Sequence, residues 1–166
     1  MKTLYIVRHA KSSWEDPDVP DFDRVLNERG KRDAPRMGKR LKEKDLHPDL
    51  IISSPAKRAY STAKRIAEVL QYPNARIQTD QHLYHADEDT LLETVRSIND
   101  KHSTVLIFGH NPGLTEFANS LAVAEVNIDN IPTCGIIAFR IPVSSWKEVT
   151  WKSANMLFFD YPKAIH

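Results

Sequence analysis

The chain has 166 residues, 41% of them hydrophobic and 27% charged, and a formal net charge of +1. That size and balance fit one globular domain, residues 1–166, and exclude the lopsided charge of a nucleic-acid or membrane-surface binder. A single cysteine, Cys134, excludes an internal disulfide framework, and the absence of a transmembrane run or signal-like leader makes the cytoplasm the expected compartment.

Leu4 to Val7 is a short β-branched and aromatic run, read as a strand buried on both faces. Arg8 and His9 fall at its carboxyl end, where open α/β sheets bind ligands. Lys11 to Arg24 is rich in Ser, Asp and Pro without apolar period, hence a long loop of the kind that tends to be functional. Asn27 reads as the N-cap of a helix reaching about Lys44, with Ala34, Met37, Gly38 and Leu41 at helical spacing and Pro35 inside the pattern. Leu50 to Ser53 is a second strand. Ser54 and Pro55 give N-cap and first-turn grammar for a helix carrying Ala59, Ala63, Ile66, Ala67 and Leu70, which puts Arg58 in or just after its first turn. There its charge joins the positive end of the helix dipole.

Arg76 to Thr79 is expected as a weaker third strand, Asp87 to Ile98 as a helix and Thr104 to Phe108 as the most strongly marked buried strand. Asn111 and Pro112 repeat the N-cap and first-turn grammar before a helix through Phe117 and Leu121. The carboxyl part reads as strand only: Cys134 to Ile141, a turn near Pro142 to Ser145, then Val149 to about Phe159, an edge hairpin. Cys134 is read as a buried strand thiol and Trp14, Trp146 and Trp151 as partly buried rings. The fold class is α/β, three-layered, with a mainly parallel central sheet flanked by helices and a C-terminal antiparallel edge hairpin.

Three strand-to-helix junctions therefore deliver Arg8 and His9, Arg58, and His110 to one edge of the sheet. Two guanidinium forks and an imidazole suit the equatorial oxygens of a transferring phosphoryl group, and the other imidazole can attack phosphorus. The same residues carry a family resemblance. Val7-Arg8-His9-Ala10 resembles the Arg-His-Gly signature of the histidine phosphatase superfamily, the phosphoglycerate mutase-like fold; Ser54 to Ala63 resembles its second arginine motif and Gly109-His110-Asn111-Pro112 its second histidine motif. The opening Arg8 to Trp14 is similar to the SixA branch of phosphohistidine phosphatases. The resemblance implies that His9 is the nucleophile that becomes phosphorylated, that Arg8, Arg58, His110 and Ser12 bind the phosphate, and that no metal or other cofactor takes part. It also implies a phosphorylated substrate, such as a phosphohistidine-bearing protein, handled by a monomer without nucleic acid or membrane.

Departures from the family pattern are Ala10 in place of Gly, Glu15 where mutase-like members carry a phosphate-contacting Asn, and His85 aligned with the usual acidic general acid. A carboxylate at Glu15 argues against a mutase. The candidate proton donors are His85, Asp87, Glu88 and Glu15, or none, since the protonated imidazole of a phosphohistidine is already a good leaving group. The competing classes are a small-metabolite phosphatase of the same fold and a non-catalytic phosphate-recognition module. The seven histidines lack His-Glu-x-x-His spacing, and Gly109 to Thr115 lacks the lysine of a P-loop. Because Thr79 to Asp87 is too short for a lid, the pocket is expected to be shallow, with the Lys11–Arg24 loop as the contact to a partner protein.

Overall fold

The computed structural model describes residues 1–164. Its strands are Lys2–Arg8 (β1), Leu50–Ser53 (β2), Gln78–Thr79 (β3), Thr104–Gly109 (β4), Ile136–Ile141 (β5) and Asn155–Asp160 (β6). Its α-helices are Glu28–Glu43 (α1), Lys57–Val69 (α2), Glu88–Arg96 (α3) and Gly113–Leu121 (α4). The strands form one sheet in the order β3-β2-β4-β1-β5-β6. β1, β2, β3 and β4 run parallel, whereas β5 and β6 pair antiparallel at the edge.

The alternation of strand side chains builds two cores, one on each face of the sheet. Leu4 and Ile6 of β1 join Val105, Ile107, Phe117, Leu121 and Trp146 on the face covered by α3 and α4. Tyr5 and Val7 join Met37, Leu41, Ile66, Leu106 and Phe108 on the face covered by α1 and α2. Both sets are almost wholly buried, which is why the strands read as continuous apolar runs rather than alternating ones. β4 lies between β2 and β1, with Ser53 opposite Phe108 and Arg8 opposite Gly109. The three strands that carry the site therefore end flush.

Several boundaries differ from expectation. α2 begins at Lys57 rather than at Pro55, and the Ser54 hydroxyl, instead of capping its first turn, accepts from the Ala56 N–H at 3.2 Å. Likewise α4 begins at Gly113, one residue beyond the expected Pro112, although the Asn111 side chain still accepts from the Thr115 N–H. Arg76 belongs to a 3-10 turn, Asn74–Arg76, leaving β3 only two residues. Cys134 is buried but precedes β5 with a positive φ of 60°, where its N–H donates to the His9 carbonyl at 3.0 Å. The segment from Val149 is not strand until Asn155, because Trp146–Glu148 forms a capped 3-10 turn that sinks Trp146 into the core, its indole N–H donating to the His102 carbonyl. Trp151 is partly buried against Phe117, but Trp14 is 71% exposed and stacks on the Arg24 guanidinium. Pro35 lies in the middle of α1, which starts at Glu28 under an Asn27 cap accepting from Gly30 N–H at 2.8 Å.

Candidate active site

His9 is the first residue beyond β1, and its backbone is tied on both sides: its N–H donates to the Gly109 carbonyl and its carbonyl accepts from Cys134. The next N–H, that of Ala10, donates to Thr62 Oγ1 at 2.9 Å, while the same hydroxyl donates to the Arg58 carbonyl at 2.7 Å. One threonine on α2 thus fixes the His9–Ala10 turn relative to the arginine one helical turn earlier. Arg8 reaches the Ile131 carbonyl through Nη1 at 2.8 Å, and Asn111 Nδ2 donates to that same oxygen at 3.0 Å. The third junction is joined to the second by a 2.8 Å hydrogen bond between His110 Nε2 and the Ser54 hydroxyl. The His9 and His110 rings lie 5.2 Å apart between centroids.

The electrostatics of the pair suit nucleophilic attack. His9 is only 7% exposed, and burial, with Arg58, Arg8 and Arg24 adding to it, lowers its pKa to about 4. Its Nδ1 lies 2.7 Å from the Ala10 carbonyl, which can only accept, so the ring holds its proton on Nδ1 and leaves the Nε2 lone pair free. Burial, the His9 ring and Arg58 lower the His110 pKa to about 3. Arg8 Nε and His110 Nδ1 are buried without hydrogen-bond partners among the described residues. Both histidines should therefore stay neutral well below the ordinary value of 6.5. In histidine-ring NMR titrations of the free protein, their signals are expected to stay flat from pH 8 to about 5; a midpoint near 6.5 for His9 would contradict this electrostatic account. Because both folded pKa values lie below the unfolded one, their contribution to stability is complete above 6.5 and declines as pH falls toward about 4 and 3.

The expected long loop is irregular apart from a bridge between Ser12 and Leu26 and a 3-10 turn, Asp21–Asp23. The loop reaches back to the site through Asp21. Asp21 accepts from Arg58 twice, through its backbone carbonyl from Nη1 at 2.6 Å and through Oδ2 from Nη2 at 2.9 Å. The Tyr84 hydroxyl donates to the same Oδ2 at 2.6 Å, and Phe22 packs edge-on against Tyr84. Hydrogen bonds from Tyr84 and Arg58 lower the Asp21 pKa to about 2. Neither Asp21 nor Tyr84 is among the residues singled out from sequence; the only signal was the loop's unusual length and the neighbourhood of His85. Ser12 is buried and its hydroxyl accepts from Arg24, which holds it in the loop's own scaffold.

His85 is exposed, stacked 4.0 Å from Tyr84, and lines a cavity of about 370 Å³ together with Asp21, Arg58, Tyr84, His110 and Glu116. Of the other candidate proton donors, Asp87 also lines this cavity but caps α3, accepting from the Thr90 N–H, which lowers its pKa. Glu88 accepts from the Ser120 hydroxyl, and Glu15 is exposed in the loop. Gly113, which also lines the cavity, lets α4 approach Ala86 closely, since a Cβ there would stand 2.0 Å from the Ala86 carbonyl oxygen. Among the described residues no group of three or more His, Cys, Asp or Glu side chains is arranged to hold a metal ion. No helix among them is long and apolar enough to cross a membrane.

The sequence pattern of the histidine phosphatase superfamily (branch 1) matches residues 4–87, half of the chain and both arginine-bearing junctions. The chain belongs to this superfamily. An uncharacterised Mycobacterium leprae protein is 31% identical over 169 residues, covering 95% of this chain and 100% of that one. The candidate phosphohistidine phosphatase SixA of Agrobacterium tumefaciens has a TM-score of 0.78 at 25% identity, covering 95% of this chain and 97% of its own. The protein histidine phosphatase SixA in complex with tungstate has a TM-score of 0.82 at 18% identity, covering 96% and 97%. The phosphoglycerate mutase-like sheet and the SixA-type branch follow from these likenesses, and membership of the superfamily supports a phosphatase.

Proposed function

We propose that the chain hydrolyses phosphohistidine on a partner protein, without a metal, through a phosphoryl group held transiently on His9. The observation that carries the nucleophile is the buried, neutral His9 ring with its Nδ1 proton committed to the Ala10 carbonyl, beside Arg8, Arg58 and His110. Nε2 of His9 attacks phosphorus as the bond to the leaving group breaks. Water then displaces His9, giving inorganic phosphate and the free ring. Arg8 and Arg58 supply fixed positive charge for the equatorial oxygens, which is the electrostatic work such transfers require.

The substrate follows from the proton inventory. Asp21 and Asp87, two carboxylates on the cavity wall, are held ionised and make poor acids. A sugar or serine leaving group needs a proton, whereas a phosphohistidine ring protonated on its other nitrogen leaves as neutral imidazole. The likeness to the SixA protein histidine phosphatase supports the same choice. His85 also lines the cavity, stacked on Tyr84, and a phosphohistidine substrate requires no proton from it. The test is turnover measured side by side on a phosphohistidine peptide, p-nitrophenyl phosphate and sugar phosphates, with and without a chelator. The expected kcat/KM favours phosphohistidine by at least about tenfold, or ~1.4 kcal/mol of transition-state preference, and is insensitive to chelation. A sugar phosphate turned over faster, or a chelator-induced loss restored by zinc, would overturn it.

A further inference from the structure

Asp21 anchors Arg58, but it does so with a carboxylate set beside a site for anions. It sits on Arg58 beside the phosphate-binding residues, yet its own charge repels a phosphoryl dianion. Its oxygens are held by Arg58 and Tyr84 on Oδ2 and by Arg24 on Oδ1, and its side chain is still 48% exposed. The exposed part belongs to the cavity beside His110, whose wall also carries Glu116 and the Tyr84 ring.

We propose that this cavity receives the leaving group and that Asp21 is the specificity-determining residue that selects a cationic one, the protonated ring of a phosphohistidine. The inference rests on the phosphohistidine substrate proposed above and assigns the chemistry of its recognition. A neutral sugar or aryl leaving group brings nothing to offset the repulsion between Asp21 and the phosphoryl oxygens. A protonated imidazole does, by placing its N–H and its charge against the carboxylate and its face near Tyr84. During transfer the bond from phosphorus to His9 Nε2 forms as the bond to the substrate ring nitrogen breaks. The electron pair returns to that nitrogen, the ring keeps the proton on its other nitrogen, and it departs neutral. The positive charge moves to the phosphorylated His9 ring, so the attraction to Asp21 is greatest in the bound substrate and weakens as the ring leaves. Asp21 should therefore act mainly on KM.

The test compares wild type, Asp21→Asn and Glu116→Gln on a phosphohistidine peptide and on p-nitrophenyl phosphate. Asp21→Asn loosens Arg58 for both substrates, so the ratio of the two kcat/KM values is the readout. That ratio is expected to fall at least about tenfold in Asp21→Asn, through KM for the peptide, and about twofold or more in Glu116→Gln, a change on α4 rather than on the loop. Equal losses on both substrates in Asp21→Asn would reduce Asp21 to an anchor for Arg58 and overturn the proposal while leaving the phosphohistidine substrate in place. If Asp21→Asn does not fold, Glu116→Gln decides: a lowered ratio supports the proposal and an unchanged one overturns it. Wild-type enzyme that turns over the aryl phosphate but not the peptide would instead remove the phosphohistidine substrate itself.

Discussion

His9→Ala is expected to abolish turnover, with kcat falling ~10³-fold or more, as is usual when an essential nucleophile is lost. The variant should still fold. His9 contributes its backbone N–H and carbonyl to the junction, and alanine keeps both, so the bonds to Gly109 and Cys134 persist. Among the described residues the side chain's one hydrogen bond is the local one to the Ala10 carbonyl. A residue that merely ligated phosphate would give the opposite pattern, a raised KM with kcat largely kept. Steady-state kinetics on the phosphohistidine peptide, with circular dichroism to confirm the fold, distinguishes the two.

Arg58→Lys should lower kcat/KM by ~10²-fold even though the charge is retained. The guanidinium is spread across two Asp21 acceptors, Nη1 to the backbone carbonyl and Nη2 to Oδ2, which fixes its plane and leaves its remaining N–H groups aligned. An ammonium cannot span both acceptors and also present a planar pair of donors to a phosphoryl group. Competitive inhibition by inorganic phosphate should weaken in parallel. Phosphate inhibition and kcat/KM close to wild type would show that Arg58 serves only as a partner of Asp21.

The sheet and the convergence of Arg8, His9, Arg58 and His110 were legible because Arg8, His9 and His110 lie at the ends of apolar strands and Arg58 in the first turn of the helix that follows one, where backbone topology decides where each emerges. What was not legible depends on side chains meeting across long sequence separations. Asp21 and Arg58 are 37 residues apart and Asp21 and Tyr84 63, and no local pattern announces either contact. The length of the loop marked it as a candidate for function, but nothing local announced that Asp21 and Phe22 dock it on Tyr84. The misplaced helix starts have a common cause: Ser54 and Asn111 are polar residues at the right spacing for caps. The Ser54 hydroxyl meets His110 and Asn111 Nδ2 meets Ile131, and α2 and α4 start a residue or two later. The last strand was started too early because Val149 is as apolar as a strand residue yet is buried at the end of a 3-10 turn.

The account turns on a covalent phosphoryl group at one atom. Rapid mixing with the phosphohistidine peptide, quenching under alkaline conditions that preserve phosphoramidates, and peptide mass spectrometry should place the phosphoryl group on His9. The account predicts that it appears within the first turnover and disappears as inorganic phosphate accumulates. Phosphate released at the wild-type rate with no phosphoryl group on His9, or with the group on another residue, would contradict it.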